Sequence, residues 1–277
     1  MSADARNLLA RPDLADERLE GLIRAEQFAA AEAMRCAAPQ AWIHKAPALS
    51  SERLDELLYG EGFEVLEARD GWAWGQARRD GYVGFVRADA LAPEGEAPLL
   101  RVQALRTTGF KAPDLRSEVV ASLSMNSLIG PGEIRNGYVD AGEAGWVFAR
   151  HLAPVGAFEA DHAAVAERYV GAPYIWGGRS SLGLDCSGLV QLAMQAAGRA
   201  CPRDTDQQLA AFADPTDRQA LARGDLVFWK GHVGIMLDHD RMIHANGHHM
   251  ATAVESVDEA LARIEAAGWP QRGFRRP

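Results

Sequence analysis

The sequence predicts an α+β protein in several parts: a short helical N-terminal arm, two small β-barrels, and a C-terminal domain in which helices precede antiparallel strands. Three observations carry this reading. Gly84-Phe85-Val86-Arg87-Ala88-Asp89-Ala90-Leu91-Ala92-Pro93 is matched by Gly145-Trp146-Val147-Phe148-Ala149-Arg150-His151-Leu152-Ala153-Pro154, with six of ten positions identical at an offset of 61 residues, the signature of an internal repeat. Cys186 opens an apolar run (Leu189, Val190, Leu192, Ala193, Met194, Ala196, Ala197) that stops at Gly198, the pattern of a short, largely buried helix. Strand-like runs then follow at 225–229, 232–237 and 242–245.

Residues 1–38 are rich in Ala, Glu and Arg, and Leu19, Leu22, Ile23 and Ala30 predict a helical arm ending near Pro39. Residues 39–95 and 96–156 hold the two copies of the repeat. Around each copy lie short β-like runs broken by glycine: Phe63-Glu64-Val65-Leu66, Trp72-Ala73-Trp74, Val119-Val120-Ala121. Evenly spaced short strands of this kind predict small barrels, with Ala92 to Pro98 as their linker. A second link, Pro154 to Asp161, leads into the domain at 157–277. There Asp161 to Val170 reads as a helix with an Asp cap, and Gln207 to Ala213 as another. Val257 to Ala267 reads as the last helix, and Gly273-Phe274-Arg275-Arg276 as a closing edge strand.

The chemistry gathers around Cys186, which sits where the Gly-rich loop Pro173-Tyr174-Ile175-Trp176-Gly177-Gly178 leads into its helix. The free N–H groups and dipole of a first turn favour a thiolate, the nucleophilic form of cysteine. Two downstream histidines supply a base. With a tight turn at Asp238-His239-Asp240 and an odd-length loop, His232 and His244 fall on one sheet face, close across a hairpin. Cys186 as nucleophile, His232 as base and His244 as orienter then form a triad, with Asn246 a rival for the third place. His239, His248 and His249 invite a metal reading with His244. However, His248 and His249 are adjacent and point oppositely on a strand, and no cysteine or carboxylate joins them at ligand spacing. No metal or cofactor is expected. Cys36 and Cys201 lack any such context and read as inert thiols.

The order Pro-Tyr-x-Trp-Gly-Gly, Asp-Cys-Ser-Gly, Gly-Asp-Leu-Val-Phe, His-Val-Gly-Ile and Ile-His-Ala resembles the NlpC/P60 family of cysteine peptidases over roughly Asp161 to Pro277. The resemblance implies a papain-like fold and cleavage of cell-wall peptides between D-glutamate and a diamino acid. It implies His232 as the base and His, Asn or Gln as the third residue. The oxyanion donors it implies are the Cys186 N–H and the Tyr174 hydroxyl, Tyr174 being equally a wall of the cleft. Asp185 reads as an N-cap or a substrate contact, and Ser187 as a donor to substrate or within its own turn. Asp204 and Thr205 fall on a loop that lines the family's cleft, where a carboxylate suits an ammonium group. Local turn chemistry is the other reading. The Gly-aromatic-Val of each repeat copy resembles bacterial SH3 domains. Relatives with this arrangement include dipeptidases that demand a free amino end. By that resemblance Tyr82, Glu56 (with Asp55 and Glu61) and Asp204 are the candidates to meet the terminal ammonium.

Bulk properties narrow the partners. In 277 residues, 48% hydrophobic and 24% charged, the net charge of −9 argues against nucleic acid or an anionic membrane surface. No apolar run approaches a membrane span, and Met1 to Asp16 lacks an apolar signal core. Three cysteines make no disulfide framework. The expectation is a cytoplasmic enzyme that releases L-Ala-γ-D-Glu from murein stem peptides with a free N-terminal L-Ala, in cell-wall recycling. A thiol amidase or acyltransferase on another amide, and a non-catalytic module that binds wall peptides, are the alternatives.

Overall fold

Glycine-punctuated runs of four to eight residues are too short to stand alone and must pair. In the computed structural model, which describes residues 4–212 and 214–277, those between Glu32 and Pro93 form a seven-stranded sheet. The strand order is Arg53–Leu58, Gln40–His44, Val83–Arg87, Trp72–Ala77, Gly62–Arg69, Glu32–Cys36, Leu91–Pro93. Cys36, Ile43, Leu57, Phe63, Tyr82 and Val86 are buried in its core. Residues from Leu100 to Pro154 form a five-stranded and a three-stranded sheet, around Val102, Leu123, Ile129, Val139, Val147 and Leu152. These strands belong to the first of two units, Met1–Val155 and Gly156–Pro277.

The repeat in sequence is a repeat in structure. Val83–Arg87, a 3₁₀ turn at Ala88–Ala90 and Leu91–Pro93 correspond to Trp146–Phe148, Ala149–His151 and Leu152–Pro154. A second match becomes visible with the structure. Lys45-Ala46-Pro47-Ala48-Leu49-Ser50-Ser51-Glu52 and Lys111-Ala112-Pro113-Asp114-Leu115-Arg116-Ser117-Glu118 agree at six of eight positions. Each closes a hairpin through a Lys–Glu pair, at 3.1 Å and 2.9 Å, and through an Ala N–H donating to a Ser Oγ. The two small barrels expected from sequence are not found closed among the described residues. The seven-stranded sheet ends on Arg53–Leu58 and Leu91–Pro93, which do not pair with each other, and Pro93 has no N–H to extend its ladder.

The helical arm is also corrected. Among the described residues before Pro39 there are 3₁₀ turns at Ala5–Asn7 and Glu17–Leu19 and strands at Leu14–Asp16, Gln27–Ala29 and Glu32–Cys36. Met1 to Ala3 lie outside the described residues. Gly21 adopts φ +78°, a conformation that interrupts a helix, and Leu22, meant for the helix's apolar face, is 76% exposed. Leu9 and Ala15 are buried instead, and Arg11–Glu67 and Arg18–Glu64 ion pairs tie the segment to the Gly62–Arg69 strand.

In the second unit the helices are α1 (His162–Glu167), α2 (Cys186–Ala196), α3 (Thr205–Ala211) and α4 (Val257–Ala266). Asp161 caps α1 as expected, through Ala163 and Ala164 N–H. The helix expected over 207–213 begins two residues earlier, because Asp204 forms a capping box with Gln207; Ala213 lies outside the described residues. One antiparallel sheet runs Asp214–Thr216, Gln271–Arg276, Leu226–Trp229, His232–Met236, Arg241–Asn246, Ala251–Ser256. The C-terminal strand is therefore interior rather than an edge, with Asp214–Thr216 paired outside it. α2 packs on the His232–Met236 and Arg241–Asn246 strands. Val257, Ala260 and Ile264 of α4 cluster with Val227, Trp229, Met236 and Met242.

Candidate active site

The apolar run after Cys186 makes α2 a buried helix, with Leu189, Val190, Leu192, Ala193 and Met194 fully covered. Its start is fixed by Asp185. Oδ1 of Asp185 accepts the Gly188 N–H at 2.8 Å, a standard N-cap, and Oδ2 accepts the Gly177 N–H at 2.9 Å. The helix start and the Gly-rich loop are thus held by one carboxylate. Arg203, 1% exposed, grips both oxygens of Asp185 at 2.9 and 2.7 Å and donates to Ser187 Oγ at 2.8 Å. Ser187 Oγ in turn donates to Asp185 Oδ1 at 3.3 Å. Asp185 and Ser187 therefore serve the first turn of α2. Arg203 was not singled out in the sequence, where it stands as an ordinary basic residue between Pro202 and Asp204.

Cys186, the first residue of α2, lies against the chain on either side of His232. Its Sγ is 4.0 Å from the Gly231 carbonyl oxygen and faces the Val233 N–H. Burial, reinforced by Asp185, pushes its thiol up to about 12, against the lowering by the Val233 and Ser187 N–H groups and by Arg203. Tyr174 is half-buried. Burial, with Cys186 and Asp185 nearby, keeps its hydroxyl protonated.

The hairpin brings the histidines together. Ile235 faces Ile243 and Met236 faces Met242, so His244 comes level with Gly234, on the face that also carries His232. Gly234 lets the two strands pack closely here: a Cβ there would come within 2.6 Å of Met242 Cε and 3.4 Å of His244 Cβ. His232 Nε2 and His244 Nδ1 are 2.7 Å apart, and the Trp229 ring lies 5.5 Å from that of His232. Burial, with His244 beside it, pulls His232 down to about 3, and burial also lowers His244 against the pull of Glu255. Both rings are neutral at rest.

His244 Nε2 meets Glu255 Oε1 at 2.5 Å, and Arg263 of α4 bonds the same oxygen. Glu255 went unnoticed in the sequence because its strand did; the one faint signal is β-branched Thr252 and Val254 alternating ahead of Ser256, the cap of α4. His244, His249 and Glu255 place ligand atoms within 4.8 Å of one another. Both nitrogens of His244 are committed, and a guanidinium already occupies Glu255, so these groups read as a hydrogen-bond chain rather than a cation cage. Asn246 instead binds the His249 N–H at 2.8 Å.

Asp204 is the N-cap of α3, with Thr205 its first residue, both half-buried. Tyr82 and Glu56 belong to the first unit, Tyr82 in its core and Glu56 1% exposed. The neighbouring Asp55 and Glu61 are both engaged by Arg79. Cys36 is buried with its thiol pushed up to about 12 by burial, as suits an inert side chain. No helix among the described residues is long and apolar enough to cross a membrane.

Comparison with known proteins follows the same division of the chain. Residues 171–267 match the NlpC/P60 family, and residues 43–91 match the bacterial dipeptidyl-peptidase SH3 domain. Dipeptidyl-peptidase 6 of Lysinibacillus sphaericus is 27% identical over 78% of this chain and 89% of its own length. A γ-D-glutamyl-L-lysine dipeptidyl-peptidase of Bacillus subtilis is 38% identical, over only 28% of each chain. Several curated relatives are matched over only about a quarter of their length. The crystal structure of an NlpC/P60 family protein from Bacillus cereus superimposes with a TM-score of 0.74 at 18% identity, over 88% of this chain and 99% of that one. The chain therefore carries an NlpC/P60 peptidase domain, preceded by a bacterial SH3 domain.

Proposed function

We propose that this protein is a cysteine peptidase that cleaves the γ-D-glutamyl–diamino acid bond of murein stem peptides with a free N-terminal L-Ala, releasing L-Ala-γ-D-Glu. The observation that carries the proposal is the hydrogen-bonded pair His232–His244 set beside the Cys186 thiol at the start of a capped helix. The names of the relatives, a dipeptidyl-peptidase and a γ-D-glutamyl-L-lysine dipeptidyl-peptidase, support the bond class.

In this reading the resting thiol and imidazole are neutral. As the substrate carbonyl approaches, the Cys186 proton passes to His232 and the sulfur attacks the carbonyl carbon. The oxyanion is met by the Cys186 N–H and the Tyr174 hydroxyl; such donors are each worth about 3–4 kcal/mol when removed. The C–N bond breaks as the leaving amine takes the proton from His232. Water, activated by His232, then attacks the thioester, and the thiol recovers its proton as the carboxylate product leaves. Asp204 is the proposed partner of the L-Ala ammonium. A site built to satisfy a charged group rejects substrates that lack it. Work on free stem peptides fits a role in cytoplasmic recycling of wall fragments.

The test is to incubate the protein with L-Ala-γ-D-Glu-diaminopimelate and with its N-acetylated form and to identify products by mass. L-Ala-γ-D-Glu is expected from the free peptide, with kcat/KM lower by at least about a hundredfold for the acetylated one. Equal values would remove the free-amine requirement, and no cleavage of either would remove the murein substrate.

A further inference from the structure

The hydrogen bonds do not end at the second histidine, and their direction can be worked out from the far end. An ionised carboxylate only accepts hydrogen bonds. Glu255 Oε1 lies 2.5 Å from His244 Nε2, so that nitrogen carries the proton and His244 Nδ1 presents a lone pair. Its partner at 2.7 Å, His232 Nε2, must then donate. His232 is left with a bare Nδ1, and a bare nitrogen is what a base needs to take the Cys186 proton. The opposite polarity, with His244 Nδ1–H donating to His232 Nε2, leaves His232 with Nδ1–H and nothing to accept with.

The surroundings favour the first arrangement. Arg263, from α4, donates to the same oxygen of Glu255. Arg263 and His244 together hold the carboxylate below its usual range, against burial, which raises it. His244 is fully buried, so water does not compete for Nε2. Nearby titratable side chains include His249, whose ring is 6.4 Å from that of His244 and whose Nδ1 meets Asn246 Oδ1, Cys186 at the start of α2 with its N-cap Asp185, and Tyr174.

We propose that Glu255 is a positioning residue: by accepting from His244 it fixes the tautomers of both histidines and leaves His232 Nδ1 free to receive the thiol proton. The inference rests on the thiol-peptidase reading above. Glu255 touches neither substrate nor sulfur in it and acts only through His244. The same carboxylate faces the imidazolium that forms when the thiol is deprotonated, as an orienting acid does in other triads.

The experiment uses the full chain labelled with ¹⁵N-histidine at neutral pH, where two-bond N–H correlations report the tautomer of each ring. Both His232 and His244 are expected as Nε2–H. Glu255→Leu, which leaves His244 Nε2–H no acceptor at this position, should shift His232 toward Nδ1–H and lower kcat by about tenfold or more, with KM within about twofold. Nδ1–H on either ring of the native protein would overturn the proposal, and that measurement needs no variant to fold. Unchanged tautomers in Glu255→Leu would overturn it too, whether or not kcat falls. Cys186→Ala is assayed beside it. Turnover surviving in Cys186→Ala sinks the peptidase reading itself, whereas its loss there with Glu255→Leu fully active sinks only the role of Glu255.

Discussion

Replacing Asp185 with alanine should be among the most damaging single changes in the second unit, and the reason lies in what it strands. Asp185 caps α2, anchors the Gly177 N–H and neutralises Arg203 through a bidentate pair. The guanidinium of Arg203 is 1% exposed and the Asp185 side chain 9%, so both charges are out of water. Removing one partner of such a pair costs about 3–5 kcal/mol, because the other is left buried and uncompensated. Loss of the cap adds about 1 kcal/mol. Arg203 keeps Ser187 Oγ at 2.8 Å, which moderates the damage, so a total of about 4–5 kcal/mol is expected. For a unit of 122 residues (277 − 155), this corresponds to a Tm lower by about 15–20 °C. Calorimetry on the full chain reads it. Asp185→Ala combined with Arg203→Met should recover at least about 2 kcal/mol relative to the sum of the two single variants, since no charge is then left alone. A loss under about 1.5 kcal/mol for Asp185→Ala, or simple additivity of the pair, would refute the argument.

Two further outcomes follow from the same geometry. Cys186→Ala should abolish peptide hydrolysis while its Tm stays within a few degrees of the native protein, since the change removes one sulfur at a helix start; substantial residual turnover would exclude the thiol as nucleophile. Acidification should weaken the fold before most carboxylates titrate. His232 stays neutral down to about 3 when folded but takes up a proton near 6.5 when unfolded. Unfolding then binds a proton between these values, so stability falls as pH drops from 6.5, by up to about 1.4 kcal/mol per pH unit for His232, and the lowering of His244 acts in the same direction. Urea titrations at pH 7 and 5.5 measure this, and His232→Gln should flatten the slope; an unchanged slope would mean that His232 is already charged when folded.

Much of the candidate site is legible in the sequence because it is written in short-range chemistry. The apolar run from Leu189 to Ala197 with a glycine stop can only be a buried helix, and Cys186 at its head follows from that. The period of two in a strand puts His232 and His244 on one face once the turn at 238–240 is recognised, and the 61-residue repeat announces matching β elements in the first unit. Tertiary structure decided what depends on distant partners. The segment before Pro39 has helical composition, yet it forms strands and 3₁₀ turns because ladder partners and acids on the Gly62–Arg69 strand are available to it, and pairing outweighs weak propensities. Arg203 looks like any surface arginine until the fold buries it over Asp185, and Glu255 like any strand-end acid until the hairpin carries it to His244. The protonation states were likewise unreadable. A helix start favours a thiolate, but the exclusion of water from Cys186 and His232 opposes that preference, and desolvation is a property of the folded surroundings rather than of local sequence.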